Sequence, residues 1–354
     1  MRRAGQTWLD VIPAWQPARF YLTARNLRRN VACRRAAHVA SSATSSATSR
    51  RRATLIRMDA IATLVRGRVT DLGGGLTVLR VLPTAAQRMV GPFVFVDHMG
   101  PADFGVGQGV DVRPHPHIGL ATITYLYDGA LLHRDSLGTV QTIEPGDVNW
   151  MLAGHGIVHS ERTPASTRAL PHRLHGMQTW IALPEEFEDH APGFEHHPAA
   201  SLPQIERAGA VIRVIAGHAF GARAPVGVLS PILYCSVDLL AAAKFVITPE
   251  HEERAVYVVS GSVLVDEQHA ERGTLVVLEP GFDVTVTAES AATLMLLGGA
   301  PVGSRHLNWN FVASTRERID AARAEWARYG DAAARGRFGT VPAEVEFIPL
   351  PQPR

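Results

Sequence analysis

Beyond residue 58 the chain is a succession of short runs that alternate apolar and polar positions, with glycine, proline and aspartate between them. Segments 76–82, 93–96, 122–127, 211–215, 255–259 and 275–278 are rich in valine, isoleucine, leucine and tyrosine, whose side chains fit a pleated, half-buried surface. Such runs at close spacing, punctuated by turn residues, predict an all-β sandwich or barrel. One segment follows a different period. Ile319, Ala322, Trp326 and Tyr329 recur at helical spacing, Ser314 stands three residues before Glu317 as a capping box, and Gly330 closes the run. One helix is therefore expected near the C-terminus, packed on a barrel's outer wall.

The pattern also repeats. Residues 125–129 end a strand in Asp-Gly, and a second strand then runs between Gly146 and Gly154. Residues 257–261 end in Ser-Gly, and a strand again runs between Gly273 and Gly281. Each glycine is placed to supply a turn of positive φ. A repeat of this kind predicts two similar barrels. The expected organisation is a first barrel over 58–185, a connector over 186–230, and a second barrel over 231–354 that carries the helix and tail.

Composition adjusts this picture at one end. Of the 354 residues, 46% are hydrophobic and 19% charged, with a formal net charge of +2. That near-neutral figure averages two unlike parts. Before Met58 the only acid is Asp10, arginine recurs, and residues 41–49 are a serine, alanine and threonine run. Residues 1–57 read as a transit segment, a disordered tail, or an extension ahead of a start at Met58; the third is favoured, because Met58 directly precedes the first alternating segment. The rest is mildly acidic, so no basic field for nucleic acid is expected. No apolar run approaches the ~20 residues that span a bilayer. Two cysteines, Cys33 and Cys235, provide no disulfide framework, which fits a cytoplasmic location. The glycines at 73–75 precede a strand and read as a hairpin turn rather than a phosphate loop.

Candidate chemistry lies in the first half-repeat. His115 and His117 are two apart at the start of a predicted strand, so both imidazoles face one side. With 16 histidines in the chain, chance alone gives roughly 0.7 such pairs, so the motif decides nothing by itself. A second pair, His159 and Glu161, closes the same half-repeat and also shares one face. Two such pairs on neighbouring strands would bring three neutral imidazoles and one carboxylate to a common volume. That donor set suits Fe(II), Mn, Ni, Cu or Zn and leaves two positions of an octahedral ion open. The second half-repeat has no counterpart: Pro249 to Arg254 contains only His251, expected at the surface, and the run 282–287 directly after Gly281 holds no histidine. The later barrel is expected to be structural.

Other groups read more plainly. Asp97 and His98 are weighed as orienters of a ligand imidazole against a strand-end turn, and Asp135 to Gly138 as a turn only. His155 is read as a loop residue, and His172, His175, His190, His196 and His197 as surface residues. Trp150 and Met151 are assigned to core packing.

The run from Gly91 to His98, the segment from His115 to Tyr125, and above all the run from Pro145 to Glu161 resemble the pirin family of bicupin proteins, and the likeness extends from Met58 to the tail. The resemblance implies one divalent metal ion, iron first, on His115, His117, His159 and Glu161, with Glu161 as the catalytic carboxylate. It implies either a dioxygenase of the quercetin 2,3-dioxygenase type, acting with O2 on a flavonol or another enolisable small molecule, or a non-enzymatic, iron-dependent co-regulator that binds a transcription factor or a metabolic enzyme. Ile118 stands where many members carry arginine, and Ala121 near where they carry glutamate. Those departures are expected to leave the metal rim less polar.

Overall fold

The computed structural model describes residues 60–72, 76–332 and 335–351. The extension 1–57, with Cys33 and the serine-rich run, and the glycines 73–75 lie outside them. The earlier strands are β1 (Ile61–Arg66), β2 (Arg68–Asp71), β3 (Thr77–Leu82), β4 (Phe93–Phe104), β5 (Asp111–His117), β6 (Leu120–Asp128), β7 (Leu131–Asp135), β8 (Val140–Ile143), β9 (Val148–Leu152), β10 (Ile157–Arg162), β11 (His172–Ala182) and β12 (Gly193–His197). Next come β13 (Gln204–Arg207), β14 (Ala210–Ala219), β15 (Ala222–Arg223), β16 (Ile232–Leu239), β17 (Lys244–Ile247), β18 (Glu253–Ser260), β19 (Ser262–Val265), β20 (Gln268–Glu271), β21 (Thr274–Leu278), β22 (Val284–Ala288) and β23 (Ala292–Gly299).

These strands form two cupin-type barrels, each a large sheet facing a small one. In the first, the order β12-β9-β6-β11-β4-β3-β2 faces β5-β10-β7-β8. In the second, β1-β21-β18-β23-β16-β14-β13 faces β17-β22-β19-β20. The expected boundaries need adjusting at both ends. β1, assigned to the first barrel, pairs with β21 in the later sheet. β12, assigned to the connector, pairs with β9 in the first barrel. Each thus covers an edge whose backbone groups would otherwise be unpaired, and a pattern read locally cannot say which sheet an edge strand joins.

The turn glycines behave as the repeat requires. Gly129, Gly146 and Gly154 have φ of 84°, 86° and 51°, and Gly261, Gly273 and Gly281 have 77°, 85° and 83°. A side chain at any of the six would be strained.

Alternation then sorts the side chains. Ala121, Ile123 and Tyr125 on β6 and Val148, Trp150 and Leu152 on β9 point toward the later barrel, where they share one buried cluster with Tyr234, Tyr257 and Met295. The opposite face of the same strands fills the first barrel: Leu120 and Met151 pack with Phe95, Ile157 and Trp180 in one layer, and Leu126 packs with Leu131 and Leu174 in another.

The helix Arg316–Trp326 covers the outside of β5 and β10. Its Ile319, Ala322 and Trp326 pack on Ile118, Val158 and Phe311. The expected cap shifts by one residue: Thr315 is the N-cap, its hydroxyl accepting from the Arg318 N–H at 3.4 Å. Ser314 is diverted because its N–H and hydroxyl both donate to the buried carboxylate of Glu188. Thr315→Ala is therefore expected to lower stability by about 1 kcal/mol, read as a fall in the urea midpoint.

Candidate metal centre

Four features of the local sequence build the site. β5 lies at the edge of its sheet, where Pro114 and Pro116 cost no ladder bond. Because proline and histidine alternate, the prolines face outward and His115 and His117 face the barrel interior. On β10, Ile157, His159 and Glu161 face inward while Val158 joins the cluster under the helix. The pairing puts His159 opposite His115 and Ile157 opposite His117, and a register shift between His159 and Glu161 then sets Glu161 against Val112.

All three imidazoles are buried, and one ligand nitrogen from each lies within 4.8 Å of the others. Ring centroids are 4.3 Å apart for His115 and His159, 5.1 Å for His117 and His159, and 5.0 Å for His115 and His117. Their hydrogen bonds fix the tautomers. His115 Nδ1 lies 2.9 Å from the Arg113 carbonyl and His117 Nδ1 lies 3.0 Å from the Asn310 carbonyl. A carbonyl can only accept, so both Nδ1 atoms carry the proton and both Nε2 atoms present lone pairs.

For His159 the partner is another imidazole. Its Nδ1 lies 3.4 Å from His133 Nδ1, and His133 Nε2 lies 2.9 Å from Asp135 Oδ2. The ionised Asp135 accepts a hydrogen bond from His133 Nε2–H, which leaves His133 Nδ1 to accept from His159 Nδ1–H. His159 Nε2 is then a lone pair as well, and among the described residues that buried atom has no hydrogen-bond partner. Burial lowers the pKa of His115 and, more strongly, of His117 and His159, where neighbouring imidazoles add to the effect. Burial raises the Asp135 carboxyl, but the bonds from His133 and Thr139 outweigh it and hold the group below its usual value. The centre is thus three neutral imidazoles backed by one carboxylate. An orphaned lone pair converging with two others is what a divalent ion of nitrogen and oxygen preference requires.

Glu161 stands apart from the three-histidine group. Its Oε1 accepts from Gln178 Nε2 at 3.2 Å, and Gln178 Oε1 accepts from the Thr124 hydroxyl at 3.0 Å. Its charge acts on His115, raising that group's pKa against the effect of burial. The fourth expected donor is therefore adjacent and held by two bonded side chains. The aromatic wall is Trp180, edge-on to His117 at 5.0 Å and stacked on Phe95 at 4.0 Å.

Several sequence readings change. Asp97 pairs with Arg80, and His98 bonds Tyr257 and His175 between the barrels, so neither orients a ligand. The supporting pair is His133 and Asp135, and the turn reading caught only half of Asp135: Oδ1 accepts from Leu137 and Thr139 N–H, while Oδ2 holds His133. The available signal was the spacing of two between His133 and Asp135, opposite Glu161 and His159 across β7 and β10. The Ile118 and Ala121 departures do not reach the rim, since Ile118 faces the helix and Ala121 the later barrel. His251 is buried, bonded to the His218 carbonyl at 2.9 Å.

The later barrel shows what replaces the centre. Counting from Gly281 as from Gly154 puts Val286 and Ala288 at the places of His159 and Glu161. Val286 pairs with Phe245 as His159 pairs with His115, and Val284 pairs with Ile247 as Ile157 pairs with His117. All of these are buried and apolar. The guanidinium of buried Arg254 donates through Nη1 and Nη2 to four carbonyls, those of Ile247, Thr248, Glu279 and Phe282.

Two family models match the sequence, described as Pirin over residues 75–181 and as Pirin C-terminal cupin domain over residues 234–331. A pirin-like protein of Caulobacter vibrioides is 47% identical over 283 residues, covering 79% of this chain and 96% of the relative. A Pseudomonas aeruginosa protein provisionally named a quercetin 2,3-dioxygenase is 40% identical over 282 residues, covering 79% of this chain and 86% of that one. The crystal structure of quercetin 2,3-dioxygenase from Acinetobacter baumannii is similar at a TM-score of 0.75 and 34% identity, covering 82% of this chain and 95% of that one.

Proposed function

Because this chain belongs to the pirin family, we propose that it binds one divalent metal ion, iron first, through His115, His117, His159 and Glu161, and that it is a dioxygenase of the quercetin 2,3-dioxygenase type. The observation that carries the reading is the lone pair of His159 Nε2, buried without a partner and convergent with those of His115 and His117. The similarity to the Acinetobacter enzyme and the Pseudomonas relative supports the reaction class. When bound, the metal supplies Lewis-acid polarisation of the substrate's hydroxyl and keto oxygens.

The chain's own residues do the rest. Glu161 accepts the hydroxyl proton of an enolisable substrate, and its bond from Gln178 orients the carboxylate for that transfer. Thr124 fixes the Gln178 amide in the orientation that donates. Trp180 and Phe95 form an apolar wall that excludes water from the electron-rich enolate as O2 reacts. For a flavonol the ring opens with release of carbon monoxide.

The test is iron-loaded protein with quercetin under air, followed by loss of the flavonol absorbance and by headspace carbon monoxide. Glu161→Gln removes the base and should lower kcat/KM about 100-fold, with bound metal measured alongside. Intact iron stoichiometry with neither substrate loss nor carbon monoxide would remove the dioxygenase assignment.

A further inference from the structure

The core between the two barrels is apolar for most of its extent, yet at one edge it opens into a polar cleft of about 250 Å³. β6 lines it from the first barrel with Tyr125 and Tyr127, and β14 and β16 line it from the second with Arg213, Ser236 and Asp238. Register explains the grouping. Arg213 lies opposite Ser236 and Val211 opposite Asp238 on neighbouring strands, so all four side chains leave the same face. That face is turned away from the later barrel's own core, which Ile212, Val214, Cys235 and Val237 fill.

Arg213 is the group left to explain. Among the described residues no carboxylate is within ion-pair distance of it; Nη2 donates to Gln204 Oε1 at 3.0 Å. Gly146 admits the guanidinium, since a Cβ there would lie 2.6 Å from Nη1. Burial raises the pKa of the Tyr125 phenol beside it, against the pull of Arg213. Tyr127 is only loosely held, its hydroxyl accepting from Ser236 at the limiting distance of 3.5 Å. Asp238 is exposed at the rim, one oxygen taken by the Thr293 hydroxyl.

We propose that this cleft is a second ligand site, separate from the metal centre, which takes a small monocarboxylate with a flat apolar body. A guanidinium fork with a phenolic O–H beside it matches a carboxylate. Two tyrosine rings with Pro145 and Val211 suit a single flat ring, and the volume admits little more. Asp238 at the mouth opposes a second negative charge. Clefts between domains commonly serve this use.

Isothermal titration of the metal-loaded full chain with benzoate tests the site. Benzoate is expected to bind, while benzamide, lacking the charge, and phthalate, carrying a second one, bind at least about tenfold more weakly. Arg213→Met weakens benzoate at least about tenfold, and Arg213→Lys recovers part of the loss. Gln204→Ala, at an exposed position, gives an independent weakening should Arg213→Met fail to fold. His115→Ala leaves benzoate affinity within about twofold, which separates this site from the metal centre. No benzoate binding, binding indifferent to Arg213 and Gln204, or binding lost with His115→Ala overturns the proposal.

Discussion

Alanine in place of His159 is expected to reduce bound metal from about one ion per chain to less than a tenth, and oxygen uptake with it. The argument is one of donor count and burial. Removing one of three imidazoles leaves two nitrogens and a carboxylate that is itself bonded to Gln178, and the space vacated is enclosed. The fold should survive, because among the described residues His159 makes only one side-chain bond, the 3.4 Å contact with His133. Metal analysis by mass spectrometry, beside a circular dichroism melt of the same sample, separates lost metal from lost structure. A variant that keeps full metal would remove His159 from the ligand set.

Asp135→Ala is expected to act on both levels at once. The side chain is fully buried and accepts three bonds, from His133 Nε2 and from the N–H groups of Leu137 and Thr139. Truncation orphans donors at a cost of about 2–4 kcal/mol in stability. It also frees the His133 ring, and with it the tautomer that points the His159 lone pair into the centre. Metal affinity should fall about 10- to 100-fold. Asp135→Asn separates the two effects: its amide oxygen keeps one accepting position, so the turn is largely retained while support for His133 weakens. Competition against a chelator gives the affinity and urea unfolding the stability. Unchanged affinity in both variants would confine Asp135 to its turn.

Much of this is legible in the sequence. Strands, the paired barrels and the glycines that end the strands follow from alternation and from the demand for positive φ, both local properties. The His115/His117 and His159/Glu161 pairs were legible because a spacing of two on a strand fixes the face. What escaped reading depended on partners distant in sequence. β1 and β12 change barrels because edges need covering, which alternation does not encode. The role of His133 and Asp135 depends on β7 lying beside β10, and a turn already accounts for Asp135. Asp97 and His98 precede the site in sequence, but their bonds run to Arg80, Tyr257 and His175. Ser314 matched the capping pattern better than Thr315, yet the buried Glu188 claims it.

The most direct measurement is an anomalous difference map, recorded at the metal's absorption edge on crystals of metal-loaded protein. The account predicts one strong peak in the first barrel, about 2.0–2.2 Å from Nε2 of His115, His117 and His159, with the Glu161 carboxylate as its oxygen donor, and none in the second barrel. A peak elsewhere, or one that leaves any of those imidazoles uncoordinated, would contradict it.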